Sequence, residues 1–126
     1  MSKLRSILLV EDDVALSTVL ARHLEALGYV VLLAGTFREA VEQMAIKPAL
    51  LILDLTLPDA SGWDVAQWLE SIAEPVPIII ISGSTPDTQH VERFHPVAFL
   101  PKPFAIGALV AAVEAQVPHP QSAFGV

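Results

Sequence analysis

Apolar and polar positions divide the chain into two kinds of segment that alternate from end to end. Short stretches of apolar residues cover positions 6–10, 29–34, 49–53, 78–81 and 97–100. Their length is that of β-strands, and most of them lack the alternating polar residues of a strand with one face in water. Uninterrupted apolar strands are typical of a parallel sheet that helices cover on both faces. The pattern therefore predicts five parallel strands.

The segments between these strands carry apolar residues at helical spacing. They predict helices over residues 14–27, 37–45, 65–72 and 106–117. Gly28 can end the first helix, and Thr36 is a suitable N-cap for the second. Residues 84–96 differ, because Val91 and Phe94 are their only apolar residues at suitable spacing and prolines interrupt the stretch. The fourth helix is therefore predicted to be short or irregular.

Regular alternation of strand and helix predicts an α/β fold, with a doubly wound five-stranded parallel sheet and helices on both faces. We expect residues 1–117 to form one domain, since the chain has 126 residues and shows no internal repeat. Residues 118–126 contain prolines and no periodic pattern, so we expect a tail or the start of a linker there.

Composition narrows the class of protein. Hydrophobic residues make up 53% of the chain and charged residues 17%, which allows a substantial core, and the formal net charge is -7. This acidic balance argues against direct nucleic-acid binding, which needs a basic face. The chain has no cysteine, which excludes disulfides, thiolate metal sites and cysteine nucleophiles. No signal peptide or membrane-spanning stretch is recognisable, so we expect a cytoplasmic protein without membrane contact.

Polar residues with chemical potential follow four of the predicted strands. After the first come Glu11, Asp12 and Asp13, after the third Asp54, after the fourth Ser82, and after the fifth Lys102. In open parallel sheets, ligands bind beyond the carboxyl ends of the strands. If the first and third strands are neighbours, their acids share one crevice. Two carboxylates about 4 Å apart repel by about 4 kcal/mol at an effective dielectric constant of about 20, so a divalent cation such as Mg²⁺ is the expected compensation.

Within that crevice, Asp54 has the chemistry of a nucleophile. A carboxylate held by a rigid strand beside a metal can attack phosphorus and form an aspartyl phosphate. The metal and Lys102 would stabilise the charge of the transferred group, and Ser82 could donate a hydrogen bond to one of its oxygens.

Taken singly, these residues have ordinary explanations, because acids, serines and lysines at strand ends are often turn or surface residues. Asp13 in particular is expected to cap the first helix. Their coincidence at the same ends of four strands favours a functional site. Other conspicuous side chains show no ligand spacing and are interpreted as structural or solvated: His23, His90, His95, His119, Trp63 and Trp68.

The combination of motifs resembles the receiver domain of two-component response regulators over residues 5–117. The sequence VEDD closes the first strand, ISG ends the fourth, and KPF follows the fifth. In DLTLPDASG, Asp54 is followed by Pro58 and Gly62 at the spacing of that family. The resemblance implies a flavodoxin-like sheet with strand order 2-1-3-4-5 and a switch function controlled by phosphorylation.

The resemblance also implies the chemistry of the site. Asp54 would accept a phosphoryl group from a sensor histidine kinase or a histidine phosphotransfer protein. Mg²⁺ would be held by Asp12, Asp54, the backbone carbonyl of Thr56 and, through water, Glu11. The protein would promote its own phosphorylation and dephosphorylation at Asp54, and would otherwise not be an enzyme.

Residues of the fourth and fifth strands complete the expected switch. Ser82 would be the switch hydroxyl, and Lys102 would pair with the phosphoryl group or with Asp54. The Lys102–Pro103 peptide bond is often cis in this family. Phe99 matches the switch aromatic residue but lacks the hydroxyl of a tyrosine, so any readout there would be by packing. The stretch from Ser82 to Lys102 is slightly shorter than usual, which suggests an output surface unlike the family's common dimerisation surface.

Two other functions are alternatives to this interpretation. A phosphatase or phosphotransferase with an aspartate nucleophile usually has a second acid two residues later, and this chain has Thr56 at that position and no cap domain. A degenerate receiver that acts as a phosphorylation-independent protein-binding module stays open as the alternative. The cognate kinase and the downstream partner cannot be identified from the sequence.

Overall fold

The computed structural model of the chain describes residues 6–118. Its strands are β1 Ser6–Val10, β2 Val30–Ala34, β3 Leu50–Asp54, β4 Ile78–Ser82 and β5 Ala98–Pro101. Its helices are α1 Val14–Ala26, α2 Phe37–Gln43, α3 Gly62–Ser71, α4 Thr88–Phe94 and α5 Ile106–Gln116, with a short 3₁₀ helix, Met44–Ile46, after α2. His119 and the rest of the predicted tail lie outside the described residues.

The strands form a parallel sheet in the order β2-β1-β3-β4-β5, which confirms the predicted doubly wound topology. The register brings the carboxyl ends of neighbouring strands side by side. Val10 pairs with Leu53, and Asp54 pairs with Ile81. Polar residues that are far apart in sequence therefore meet at one edge of the sheet.

Helices cover both faces of the sheet, as the uninterrupted apolar strands predicted. Every residue of β1, β3 and β4 is buried. On one face, alternate strand residues such as Leu9 pack with Leu20 of α1 and Leu109 of α5. On the other face, Leu8 and its neighbours pack with α2 and with Val65 of α3. This rigid layer fixes where the strand ends lie.

Capping side chains mark the starts of α1 and α2. Asp13 accepts a hydrogen bond from the backbone N–H of Leu16 at 3.1 Å, which confirms its predicted role as the N-cap of α1. Thr36 caps α2 as predicted, and Gly28, with a φ of 101°, follows the end of α1. These caps could be predicted from the sequence because a cap depends on neighbouring residues alone.

Two helices have limits that differ from those predicted by apolar spacing. The helix α3 begins at Gly62 rather than Val65, because Ser61 and Asp64 form a reciprocal capping box there. The helix α2 ends at Gln43, short of the predicted limit, and the chain tightens into the 3₁₀ turn before Lys47.

The helix α4 has only seven residues, none of them buried, which confirms the prediction of a short fourth helix. Among the described residues, no helix is both long and apolar enough to cross a membrane.

Candidate functional site

Two buried carboxylates lie at the ends of adjacent central strands. Glu11 follows β1 directly, and its Oε2 accepts the backbone N–H of Asp13 at 3.0 Å. Asp54 is the last residue of β3, and its Oδ1 accepts the backbone N–H of Thr56 at 3.1 Å. Each side chain is therefore oriented by the loop that follows its strand.

Lys102 joins these two carboxylates. Its Nζ donates to Oε1 of Glu11 at 2.6 Å and to Oδ2 of Asp54 at 3.2 Å. The backbone N–H of Lys102 donates to the carbonyl of Ser82 at 2.8 Å, which extends the pairing of β4 and β5 into the site. The Lys102–Pro103 peptide bond is cis, as the resemblance implied.

The carboxylates also form a possible metal site. Ligand atoms of Glu11, Asp12 and Asp54 all lie within 4.8 Å of one another, with Asp12 exposed and the other two buried. A close set of carboxylate oxygens suits a hard divalent cation, and exposure of Asp12 leaves one side open for water ligands. The donor set therefore fits Mg²⁺.

Burial and charge act against each other on the ionisable groups. Burial raises the pKa of Glu11 from 4.5 to about 7, while its hydrogen bonds from Lys102 and Asp13 lower that pKa and the nearby Asp54 raises it. Burial alone would lower the pKa of Lys102, but its hydrogen bonds to Glu11 and Asp54 outweigh burial and raise that pKa. The lysine thus stays charged and partly compensates the buried acids.

The loop after Asp54 is compact. Thr56 and Ser61 form an isolated antiparallel bridge, and the backbone N–H of Gly62 donates to the carbonyl of Leu55 at 2.9 Å. A Cβ atom at Gly62 would lie 2.3 Å from the backbone oxygen of Asp54. The glycine spacing noted in the sequence thus has a physical reason, since only glycine lets α3 start so close to the end of β3.

The two predicted switch residues lie outside the hydrogen-bond network of the ionic cluster. Ser82 is buried, and its Oγ accepts the backbone N–H of Ser84 at 3.1 Å. Phe99, on β5, is half-buried and packs against the core on the face covered by α2 and α3. Neither residue takes part in the hydrogen bonds that join Glu11, Lys102 and Asp54.

Sequence reasoning missed two contacts of this region. The ammonium of Lys102 lies closer to Glu11 than to Asp54, although only the Asp54 pairing was expected. Asp59 reaches from the loop after β3 to the first turn of α2. Both contacts join residues distant in sequence, so no local pattern signals them. His90, interpreted as structural or solvated, hydrogen-bonds Asp87 and stacks on Trp63 at a ring-centroid distance of 5.0 Å.

Comparison with known proteins gives consistent matches. The family model described as the response regulator receiver domain matches residues 7–114. The response regulator MprA of Mycobacterium ulcerans (strain Agy99) is 36% identical over 112 residues, and that of Mycobacterium tuberculosis (strain ATCC 25177 / H37Ra) is 34% identical over 112 residues. These alignments cover 86% of this chain but 48% and 49% of the relatives, so the chain spans about half the length of the curated relatives it matches.

Solved structures share the fold. The non-phosphorylated HemR receiver domain from Leptospira biflexa gives a TM-score of 0.80 at 30% identity, covering 89% of this chain and 93% of that one. A CheY-like receiver domain protein from Methanospirillum hungatei JF-1 gives a TM-score of 0.82 at 22% identity, covering 90% and 93%, and shows likeness of fold alone.

Proposed function

Because the chain belongs to the family of response regulator receiver domains of two-component systems, which are signalling switches, we propose that Asp54 is its phospho-acceptor. Phosphorylation there changes the conformation of the domain and so controls a partner or effector. The observation that supports this assignment is the buried Asp54 carboxylate at the end of β3, in contact with Lys102 and clustered with Glu11 and Asp12.

The reaction is a transfer between two protein side chains. A carboxylate oxygen of Asp54 attacks the phosphorus of a phosphohistidine on the donor protein. A P–O bond forms as the P–N bond breaks, and the imidazole nitrogen leaves with the electron pair and takes up a proton. Attachment of Asp54 to a rigid strand and the hydrogen bond from Thr56 hold the carboxylate in a fixed orientation for this attack.

Charge compensation comes from this chain and from a metal. Lys102, which already contacts Asp54, neutralises charge on the transferred group. Asp12, Asp54, the backbone carbonyl of Thr56 and, through water, Glu11 would hold Mg²⁺, which would supply further positive charge to the phosphoryl oxygens.

Signal output follows from a local electrostatic change. The phosphoryl group attracts the hydroxyl of Ser82, which in the unphosphorylated chain bonds to Ser84. Movement of Ser82 disturbs the start of the loop before α4, and Phe99 on the adjacent strand readjusts by packing. Because α4 has no buried residue, it yields readily to such a change.

The donor is a sensor histidine kinase or a histidine phosphotransfer protein, and residues 1–117 act as the receiver unit. The relatives are about twice as long as the matched region. The functions of their remaining residues are therefore not assigned to this chain. The downstream partner is unidentified. The protein performs its own phosphorylation and dephosphorylation and does not turn over an external substrate.

The test uses Trp63, which is buried at the start of α3 and follows Gly62, the residue whose backbone lies against that of Asp54. In a Trp68→Phe background, Trp63 is the only tryptophan, and its fluorescence is followed during titration with Mg²⁺ and then with beryllofluoride, a phosphoryl mimic. We expect saturable responses to both. Asp54→Asn should lose the beryllofluoride response.

The matched control is Asp13→Asn, which removes an acid from the same end of the sheet. Asp13 lies outside the metal-ligand cluster, and asparagine caps helices as well as aspartate does. This variant should therefore keep both responses. Absence of both responses in the wild type, checked by calorimetry, would contradict the proposal and leave the phosphorylation-independent binding module as the better description. Mass spectrometry after incubation with acetyl phosphate should show one added phosphoryl group in the wild type and none in Asp54→Asn.

A further inference from the structure

The loop between β3 and α3 is anchored at its tip to a different helix. Oδ1 of Asp59 accepts the backbone N–H of Phe37 at 2.8 Å, and Oδ2 accepts that of Arg38 at 3.2 Å. Both donors belong to the first turn of α2, 22 and 21 residues earlier in the chain. When a carboxylate accepts hydrogen bonds from two N–H groups at the start of a helix, its ionised form is stabilised by these bonds and by the helix dipole.

The first turn of α2 is fully satisfied from two sides. Thr36 accepts the N–H of Glu39 at 3.0 Å, which is the usual local cap. The two preceding N–H groups, which water or the helix's own residues usually satisfy, bond to Asp59 instead. Asp59 thus caps α2 from a distant part of the same chain, the loop that follows the proposed phospho-acceptor. Its hydrogen bond from Phe37 lowers the pKa of Asp59, so the carboxylate is ionised at neutral pH.

The two residues that precede the N-cap of α2, Ala34 and Gly35, lie against the acidic residues after β1. A Cβ atom at Gly35 would be 3.9 Å from Cα of Asp12 and 3.9 Å from the backbone oxygen of Glu11. The N–H of Glu11 donates to the carbonyl of Ala34 at 2.9 Å. The segment that leads into α2 therefore touches the Glu11–Asp12 segment, and the first turn of α2, which follows it directly, is bonded to the loop after Asp54 through Asp59.

We propose that Asp59 is a positioning residue of the metal site, which holds the two ligand-bearing loops at a fixed separation through the first turn of α2. One loop carries Glu11 and Asp12, and the other carries Thr56, the expected carbonyl ligand. The inference rests on the proposed function, because it assumes that these groups bind Mg²⁺. Asp59 itself is exposed and is not part of the ligand cluster.

Loss of the anchor should weaken metal binding. In Asp59→Ala the loop tip is free, and Thr56 must be ordered when the metal binds. Mutation of groups that orient metal ligands typically costs 10- to 100-fold in affinity. Because Asp59 acts through a loop and a helix turn, we expect about a three- to tenfold rise in the Mg²⁺ dissociation constant. Asp59→Asn, whose side-chain oxygen can still accept one N–H, should give an intermediate value.

The experiment measures Mg²⁺ binding to the full chain by isothermal titration calorimetry, alongside urea unfolding of each variant. Thr36→Ala is the matched control, since it removes a cap from the same turn of α2 without touching the loop after β3. We expect Thr36→Ala to lower the free energy of unfolding as much as Asp59→Ala does, but to leave the Mg²⁺ dissociation constant unchanged.

Three results would overturn the inference alone. Asp59→Ala could bind Mg²⁺ as tightly as the wild type, or Thr36→Ala could weaken binding equally, which would assign the effect to helix fraying. Equal losses in Asp59→Asn and Asp59→Ala that vanish at high salt would assign it to distant charge. If the wild type itself binds no Mg²⁺, the proposed function fails together with the inference.

Discussion

Two ion pairs of this protein have nearly the same length and different surroundings. Lys102 Nζ lies 2.6 Å from Glu11 Oε1, and Arg93 Nη2 lies 2.7 Å from Glu70 Oε1. The side chains of the first pair are 26% and 1% exposed, whereas those of the second are both 51% exposed. An exposed pair contributes little because water competes and screens, but a buried pair is costly to break because a charge is left without compensation. Burial, not distance, decides what each pair does.

The regions around these pairs differ in the same way. The first lies at the ends of strands that are wholly buried. The second connects α3 to α4, a helix with no buried residue, whose His90 and Phe94 rings stack on Trp63 of α3. Segments with little buried apolar surface open at low free-energy cost. The site end of the sheet is thus the rigid part of the switch, and the α4 surface is the part that can respond.

Replacement of Lys102 should cause the greatest loss of stability. Replacement by Met keeps the apolar stem but leaves the buried Glu11 and Asp54 carboxylates without their cation. We expect the free energy of unfolding, measured with urea at pH 8 without Mg²⁺, to fall by about 3 kcal/mol. Arg93→Met should lower it by less than about 1 kcal/mol. Similar losses in both variants would contradict the conclusion that burial decides what each ion pair contributes.

Gly62→Ala tests the close backbone contact between α3 and the end of β3. The new Cβ would lie 2.3 Å from the backbone oxygen of Asp54, and neither the strand nor the helix can move freely. We expect a loss of about 2–3 kcal/mol in urea unfolding. Gly107→Ala is the control, because nothing lies within 4 Å of a Cβ there. It should raise stability by up to about 1 kcal/mol, since alanine is favoured over glycine in a helix.

The contributions of the two regions to stability should also change with pH in opposite directions. The raised pKa of Glu11 means that the metal-free folded state binds its proton more tightly than the unfolded chain. Its contribution to stability is present below pH 4.5 and lost as pH rises through about 7. In urea unfolding from pH 5 to pH 8 without Mg²⁺, the wild type should lose on the order of 2 kcal/mol relative to Glu11→Gln.

Asp87 on the α4 side has a pKa lowered by its hydrogen bonds with the side chain and the backbone N–H of His90. Its contribution is present above its ordinary pKa of 3.8 and lost as pH falls through the lower value of the folded state. Asp87→Asn should therefore reduce the loss of stability below pH 3.8. A flat difference between wild type and Glu11→Gln over the range from pH 5 to pH 8 would contradict the assignment for the site end.

Much of this architecture could be predicted because the signals are local. Apolar stretches, the Asp13 and Thr36 caps and the poor fourth helix each depend on a few neighbouring residues. The contact of Lys102 with Glu11 joins residues 91 positions apart and depends on strand register, which no short pattern encodes. The anchor of Asp59 on α2 is also non-local. The spacing of Gly62 from Asp54 was visible in the sequence, but the close backbone approach that requires it was not.

The smallest expected effect is the direct coupling between Arg93 and Glu70. In a double-mutant cycle with Arg93→Met and Glu70→Gln, we expect a coupling free energy of about 0.5 kcal/mol or less, which should decrease with added salt. Arg93 also lies over the ring of Phe94, at 4.8 Å from its centroid, so the single replacement Arg93→Met can cost more than the ion pair itself. The cycle separates these contributions because the ring contact is lost equally with or without Glu70. If the coupling free energy were as large as the stability loss in Lys102→Met, the Arg93–Glu70 ion pair would stabilise the position of α4 more than the stacked rings do.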